Sequence, residues 1–244
     1  GYLINKDTPY TALARRSLML LPREVMMPRL CDSRIGTVPV AFVKFSDREQ
    51  EAKAVYYACR WNLKPSDPAA FAAGKLTTPE RPIVFYVDDT FPAGWYDAIR
   101  RGLLSWNAAF EKIGYRDAVQ VRPYPRDDAS FDPNDIKFSC VKYANTMGES
   151  LSSSARIDPR SGEILSATIC IPHNVTSRIR TDLFVQLGAA DPDARRVKMS
   201  PELFGKALAA DVARHAGACL GLAVNYAGSY CVPVDSLRSP SFTQ

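Results

Sequence analysis

The sequence lacks a C-x-x-C pair, a membrane-length apolar run, a one-sided basic stripe and a charged-then-apolar leader, and each absence removes a class of function. Its six cysteines, Cys31, Cys59, Cys140, Cys170, Cys219 and Cys231, are widely spaced, so neither a zinc ribbon nor a thioredoxin-type redox motif is available. An even count permits disulfides without requiring them. Buried free thiols are the simpler expectation, because free Cys is among the most buried residue types. No apolar stretch approaches the ~20 residues of a membrane helix, so no membrane span is expected. Net charge is +5, but Lys and Arg alternate with Asp and Glu, and only short clusters such as Arg15-Arg16, Arg100-Arg101 and Arg195-Arg196 stand out. A nucleic-acid binder would show a basic stripe with interleaved aromatics, so nucleic acid is not an expected partner. The opening GYLINKDTPY carries no signal-peptide pattern.

What is present is an ordinary globular composition, 46% apolar and 23% charged, in 244 residues. That length supports one large domain, or one domain with an appendage, without a metal or disulfide staple. Residues 1–78 read as an N-terminal β-rich segment and linker. A possibly helical stretch, TALARRSLMLL, precedes two strand-like runs, TVPVAFVKFS (37–46) and AKAVYYACRWNL (52–63), joined by a charged loop. The Pro-, Ala- and Thr-rich KPSDPAAFAAGKLTTPERP reads as a linker, which puts a boundary near residue 79. Beyond it, RPIVFYVDD suits a buried strand. Trp95, Ile99, Leu103, Trp106, Phe110 and Ile113 then recur at helical spacing between Pro92 and Gly114. Three further strands are expected in AVQVRPY (118–124), DIKFSCVKYA (135–144) and EILSATICI (163–171), with turn chemistry in DPRSGE (158–163). Ser200-Pro201-Glu202 has the form of a helix start, with an N-cap, a first-turn proline and an acid at the positive end of the dipole.

That last helix runs into DVARHAGACLGLAVNYAGSY (211–230), which has the outline of a metal-binding helix without the ligands. In the pattern H-E-x-x-H-x-x-G-x-x-H, two histidines four apart share one helical face, the Glu serves as general base, and the glycine lets a third histidine swing back. Gly221 fits that glycine. Counting back from it, the ligand positions are Arg214, Ala218 and Val224 and the base position is His215. Arginine cannot be deprotonated to bind zinc, and alanine and valine have no donor atom. A register shifted by one residue offers His215, Cys219 and Asn225 instead. It rotates the helical face by about 100° and leaves no general base. A nucleophile-and-base pair made of His215 and Cys219 would lack an oxyanion donor set and an orienting third group.

The chain resembles the large bacterial zinc-dependent metalloproteases of zincin fold. The resemblance rests on MMPRLCDSRIG (26–36), RWNLKPSDPAA, RPIVFYVDDTFPAGWYDAIRRGLLSWNAAFEKIGY, DPRSGEILSATICIPHNV and PVDSLRSP (233–240). Family members read A-H-E-V-G-H-T-L-G-L-R-H-N where this chain reads Ala213-Arg214-His215-Ala216-Gly217-Ala218-Cys219-Leu220-Gly221-Leu222-Ala223-Val224-Asn225. The resemblance implies a mixed α/β fold of α+β type: a zincin-like N-subdomain at 79–244, with a twisted mixed sheet and two main helices, preceded by the β-rich segment. No Met follows Met199, so the chain is expected to be truncated before the methionine turn.

The resemblance also implies zinc-peptidase ancestry and an extracytoplasmic bacterial setting, periplasmic, cell-surface or secreted. The expected function is therefore that of a catalytically inactive homologue with a peptide- or partner-binding cleft and no resident cofactor, adventitious zinc aside. The alternative is an active metal-dependent hydrolase using His215 and Cys219 or residues outside the chain. His173 and Asn174, after the strand ending at Ile171, either border that cleft or serve a turn. Arg214 is expected either to pair with an acid that once faced the metal or to point into solvent.

Overall fold

The computed structural model describes residues 14, 16–48, 50–225 and 230–237. Two sheets are present. Strands β1 (Pro39–Lys44) and β2 (Lys53–Ala58) form an antiparallel ribbon, as the two apolar runs predict. The main sheet has five strands, β3 (Ile83–Val87), β4 (Val119–Pro123), β5 (Ser139–Ala144), β6 (Ser152–Asp158) and β7 (Glu163–Pro172). They lie in the order β4-β3-β5-β7-β6, parallel throughout except for β6, which runs antiparallel to β7. Helices α2 (Trp95–Leu104) and α5 (Pro201–Cys219) cross on one face of this sheet. This is a mixed five-stranded sheet with two main helices, in keeping with a zincin-like α+β fold.

The alternation of β3 explains how the core forms. Ile83, Phe85 and Val87 are fully buried and join Ile99 and Leu103 of α2, Val141, Ile169 and Ile171 of the sheet, and Leu208 and Val212 of α5 in one cluster. Tyr86 points the other way, into an aromatic group with Phe131 and Phe138 at 5.1 and 5.7 Å, supplied by the loop between β4 and β5. That loop occupies the first part of the expected strand 135–144, which therefore starts only at Ser139.

The stripe from Trp95 to Ile113 does not make one helix. It breaks after Leu104 and resumes as α3 (Asn107–Glu111), leaving Ile113 at 60% exposure. Two polar anchors sit at the break. Trp106 Nε1 donates to the Ala213 carbonyl of α5 at 2.8 Å. The Asn107 amide accepts from the Val119 N–H at 2.8 Å and donates to the Val119 carbonyl at 2.9 Å, fixing the first residue of β4.

β6 and helix α4 (Val175–Leu187) are elements that the sequence pattern does not announce. The segment SSSARID opens with three serines, and α4 buries only Val175 and Ile179. The DPRSGE turn joins β6 to β7, not β5 to β7. Inside it, the buried Asp158 is gripped through both oxygens by Arg160, whose hydrogen bonds hold the carboxyl below its ordinary range.

Part of the expected N-terminal helix, residues 11–13 and 15, lies outside the described residues, and residues 16–21 have no regular structure. The expected linker contains a short helix, α1 (Pro68–Ala72), capped by the Asp67 side chain accepting from the Ala70 N–H. Several contacts cross the boundary expected near residue 79. Arg60 pairs with Glu163, Thr37 with Leu222 and Pro65 with Pro79 as isolated bridges, and Trp61 and Leu63 pack on the main core.

The α2–α5 crossing depends on Gly102. A Cβ there would meet the Ala209 carbonyl oxygen at 2.4 Å and the Val212 Cβ at 2.9 Å. Gly102→Ala is therefore expected to destabilise the fold by about 1–3 kcal/mol through overpacking. Read in a thermal melt, that is a fall of roughly 2–12 °C for a domain of this size. Gly148→Ala, where nothing lies closer than 3.4 Å, is the control and should stay within about 0.5 kcal/mol.

Candidate functional site

Helix α5 begins as its sequence predicts, with the Ser200 hydroxyl accepting from the Leu203 N–H at 3.1 Å and Pro201 in the first turn. It ends in a glycine-dependent lock. The Leu222 N–H donates to the Gly217 carbonyl and the Gly221 N–H to the Ala218 carbonyl, while Gly221 sits in the left-handed region at φ 92°. This pair of bonds is the Schellman arrangement, which satisfies carbonyls that a helix end otherwise leaves open. The chain then meets the N-terminal segment, with Val38 N–H donating to Gly221 O at 2.8 Å and Ala223 N–H to Gly36 O at 2.9 Å. Trp61 Nε1 donates to the Cys219 carbonyl at 3.0 Å and satisfies another open oxygen of the last turn.

The last turns of α5 divide into two faces. Arg214, Ala218 and Val224 are exposed, while His215 and Cys219, one position on, are buried. The Arg214 guanidinium has a carboxylate partner, Asp211 Oδ1 at 2.7 Å, one turn back on the same helix. It also reaches His215 Nε2 at 3.1 Å. A guanidinium can only donate, so Nε2 accepts, and the neutral ring carries its proton on Nδ1. Nδ1 lies 3.1 Å from the Ser153 hydroxyl of β6, whose oxygen accepts a hydrogen bond from this N–H. Asp211 is shared, because its other oxygen takes a hydrogen bond from Arg178 of α4, and Arg178 also holds Asp182 at 2.8 Å. A string of polar contacts thus runs Asp182–Arg178–Asp211–Arg214–His215–Ser153 and ties α4 and α5 to the sheet edge.

These contacts define what the side chains can do. Burial, with the Arg214 charge second, pushes the His215 pKa below its ordinary 6.5. Burial drives the Cys219 thiol up to about 12, so it is not a ready thiolate nucleophile or metal ligand. No hydrogen bond joins the two, and both His215 ring nitrogens are already engaged. The shifted register therefore points His215 and Cys219 into the core, while its third position, Asn225, is exposed beyond the helix. Among the described residues, no group of three His, Cys, Asp or Glu side chains could hold a metal ion.

His173 and Asn174 belong to a different place. The His173 ring stacks on Trp95 with centroids 6.4 Å apart and accepts or donates at Nδ1 to the Tyr143 hydroxyl at 2.6 Å. Trp95 in turn packs on Phe204, in the first turns of α5 rather than the last. Asn174 sits at the N-cap position of α4 without a side-chain cap bond, and its amide donates to the Met147 carbonyl at 3.4 Å. Ile171 is fully buried and cannot line an open cleft. Its strand, β7, lies between β5 and β6, so the sheet edge on this side belongs to β6. Ser153, Asp211 and Arg178 are the site residues that sequence reasoning missed. The spacings Arg178–Asp182 and Asp211–Arg214 were the available signals.

Residues 196–244 match a family described as Met-zincin, and residues 3–66 match one described as Domain of unknown function (DUF5117). No curated protein and no solved structure matches the chain. The Met-zincin match spans α5 and the Gly221 turn, and it supports a metzincin-like zincin relationship and a metallopeptidase-related family. The zinc that such a family implies does not fit the residues here. Arg214 presents a cation, and Ala218 and Val224 present methyl groups, none with a lone pair to donate.

The depressed His215 pKa has a testable sign. As pH falls below 6.5, the unfolded chain takes up a proton that the folded chain refuses. This contribution to stability is therefore intact above that pH and lost progressively down to the folded pKa. In denaturant titrations between about pH 7 and about pH 5, His215→Gln should lose less stability on acidification than the parent chain. Parallel curves would show that His215 is not buried as a neutral ring.

Proposed function

We propose that the protein is a zincin-fold binding module without peptidase chemistry, and that it accepts a peptide or partner chain in extended form along the outer edge of β6. The observation that carries this reading is the Arg214 guanidinium. It lies between the Asp211 carboxylate and His215 Nε2, with exposed Ala218 and Val224 at the other family ligand positions. In the family register a metal would need lone pairs from those three positions.

The binding half of the proposal is supported by topology. β6 is the antiparallel edge strand beside α5, and among the described residues its outer side makes no backbone hydrogen bond. Ser152 and Ser154 are exposed on it. An added strand would take main-chain hydrogen bonds there, the usual mode of extended-peptide recognition. The extracytoplasmic setting that the resemblance implies is part of the same proposal.

Metal analysis tests the reading directly. The purified chain should carry zinc well below one ion per chain and show no chelator-sensitive peptide cleavage; stoichiometric zinc with cleavage abolished by chelator would falsify it. The combined variant Arg214→His, His215→Glu, Ala218→His, Val224→His, which writes the family motif back onto this helix, should gain zinc. Hydrogen exchange reads the second half. Amides of the β6 outer edge should exchange readily in the free chain and become protected when a partner peptide binds, whereas protection confined to other strands would locate binding elsewhere.

A further inference from the structure

A second site lies apart from the Arg214–Gly221 turn. Where the chain leaves β3 and β7 to begin α2 and α4, and where α5 starts, the surface encloses a cavity of about 550 Å³, within the ~300–1,000 Å³ range of small-ligand pockets. β3 leads through α2 to β4 on one side, and β5 leads to β7 on the other. The cavity lies at this end of the sheet, walled by the starts of α2, α4 and α5 and by residues 197–199 before α5.

Trp95 and Phe204, with ring centroids 5.2 Å apart, contribute an aromatic wall, and Arg180 and Lys198 contribute charge. Two cations nearby are neutralised, Arg178 by Asp182 and Asp211 and Arg196 by Asp193. Arg180, by contrast, reaches only the Val197 carbonyl at 3.5 Å, and Lys198 makes no ion pair among the described residues. No Asp or Glu lines the cavity. Thr176 and Ser177, in the first turn of α4, add hydroxyls and the positive end of a 13-residue helix that has no acid in its first turn.

The geometry points to a binding site for an organic carboxylate with an aromatic or branched apolar body, the carboxylate held by Arg180 and Lys198 and the body laid against Trp95 and Phe204. This site does not rest on the reading of β6 given above. Isothermal titration of the full chain with N-acetyl-phenylalanine and N-acetyl-leucine, each against its neutral amide, tests it. Saturable binding of at least one acid is expected, with its amide weaker by about tenfold or more, the size of one charge-assisted hydrogen bond.

Arg180→Gln and Lys198→Gln should each weaken the acid by about tenfold and leave the amide unchanged, while Arg34→Gln, in the N-terminal segment, should change neither. Both cations are on the surface, and circular dichroism confirms that the variants fold. Equal affinity for acid and amide, an acid affinity unaffected by Arg180→Gln, or no saturable binding of either acid would overturn the assignment.

Discussion

The backbone at Gly221 is the constraint on which the arrangement of the chain depends. A Cβ at this position would stand 2.1 Å from the Cys59 carbonyl oxygen, and its φ of 92° is one that side-chain-bearing residues rarely adopt. Only glycine allows α5 to stop, reverse and lie directly on the N-terminal segment. From that contact follow the Val38–Gly221 and Ala223–Gly36 hydrogen bonds, the Thr37–Leu222 bridge and the Trp61 bond to the end of the helix. The same stretch, residues 59–61, pairs with the start of β7 through Arg60, whose N–H donates to Gly162 and whose carbonyl accepts from Ile164. One segment thus registers the end of the long helix against the sheet, and the ribbon β1–β2 is carried along with it.

Elements with a strong period, or with a chemistry specific to one backbone state, were legible in the sequence. β3 alternates cleanly, the start of α5 carries an N-cap and a first-turn proline, and Gly221 announces the end of α5 by its place in the motif. Elements held by tertiary contacts were not. SSSARID has neither the β-branched content nor the alternation of a strand, yet it becomes β6 because the Asp158–Gly162 turn folds it back onto β7 along seven register pairs. The helical stripe of 95–113 looks continuous because local periodicity carries no sign that Asn107 is needed at the head of β4. With β6 unannounced, the strand ending at Ile171 is the last one legible before α5, which is why the expected cleft falls at His173, Asn174 and Ile171.

At the candidate site the sequence indicated which positions mattered but not what would surround them. Arg214 is expected either to pair with an acid or to point into solvent, and it does both: its side chain is 68% exposed and meets Asp211, whose own is only 10% exposed. Two guanidiniums converge on that one acid, so its charge is compensated from α4 and α5 together, while the exposed side of Arg214 keeps its own desolvation small. The His215 environment could not be read from spacing, because Ser153 lies 62 residues away on a strand that was not foreseen.

Burial separates the two possible registers of the helix more sharply than motif arithmetic can. Positions 214 and 218 share the open side and 215 and 219 the core side, as a rotation of about 100° per residue requires; Val224, past the Gly221 turn, is exposed as well. Donor atoms on the core side are used for holding the fold: His215 bridges α5 to β6, and Cys219 packs among apolar residues. On the exposed side, the family ligand positions Arg214, Ala218 and Val224 offer a metal no lone pair. Under the proposed reading, the string from Asp182 to Ser153 then takes over a mechanical task. It fixes the distance between α5 and the free edge of β6, so that an extended chain would meet a preorganised wall and edge rather than two elements it must first order.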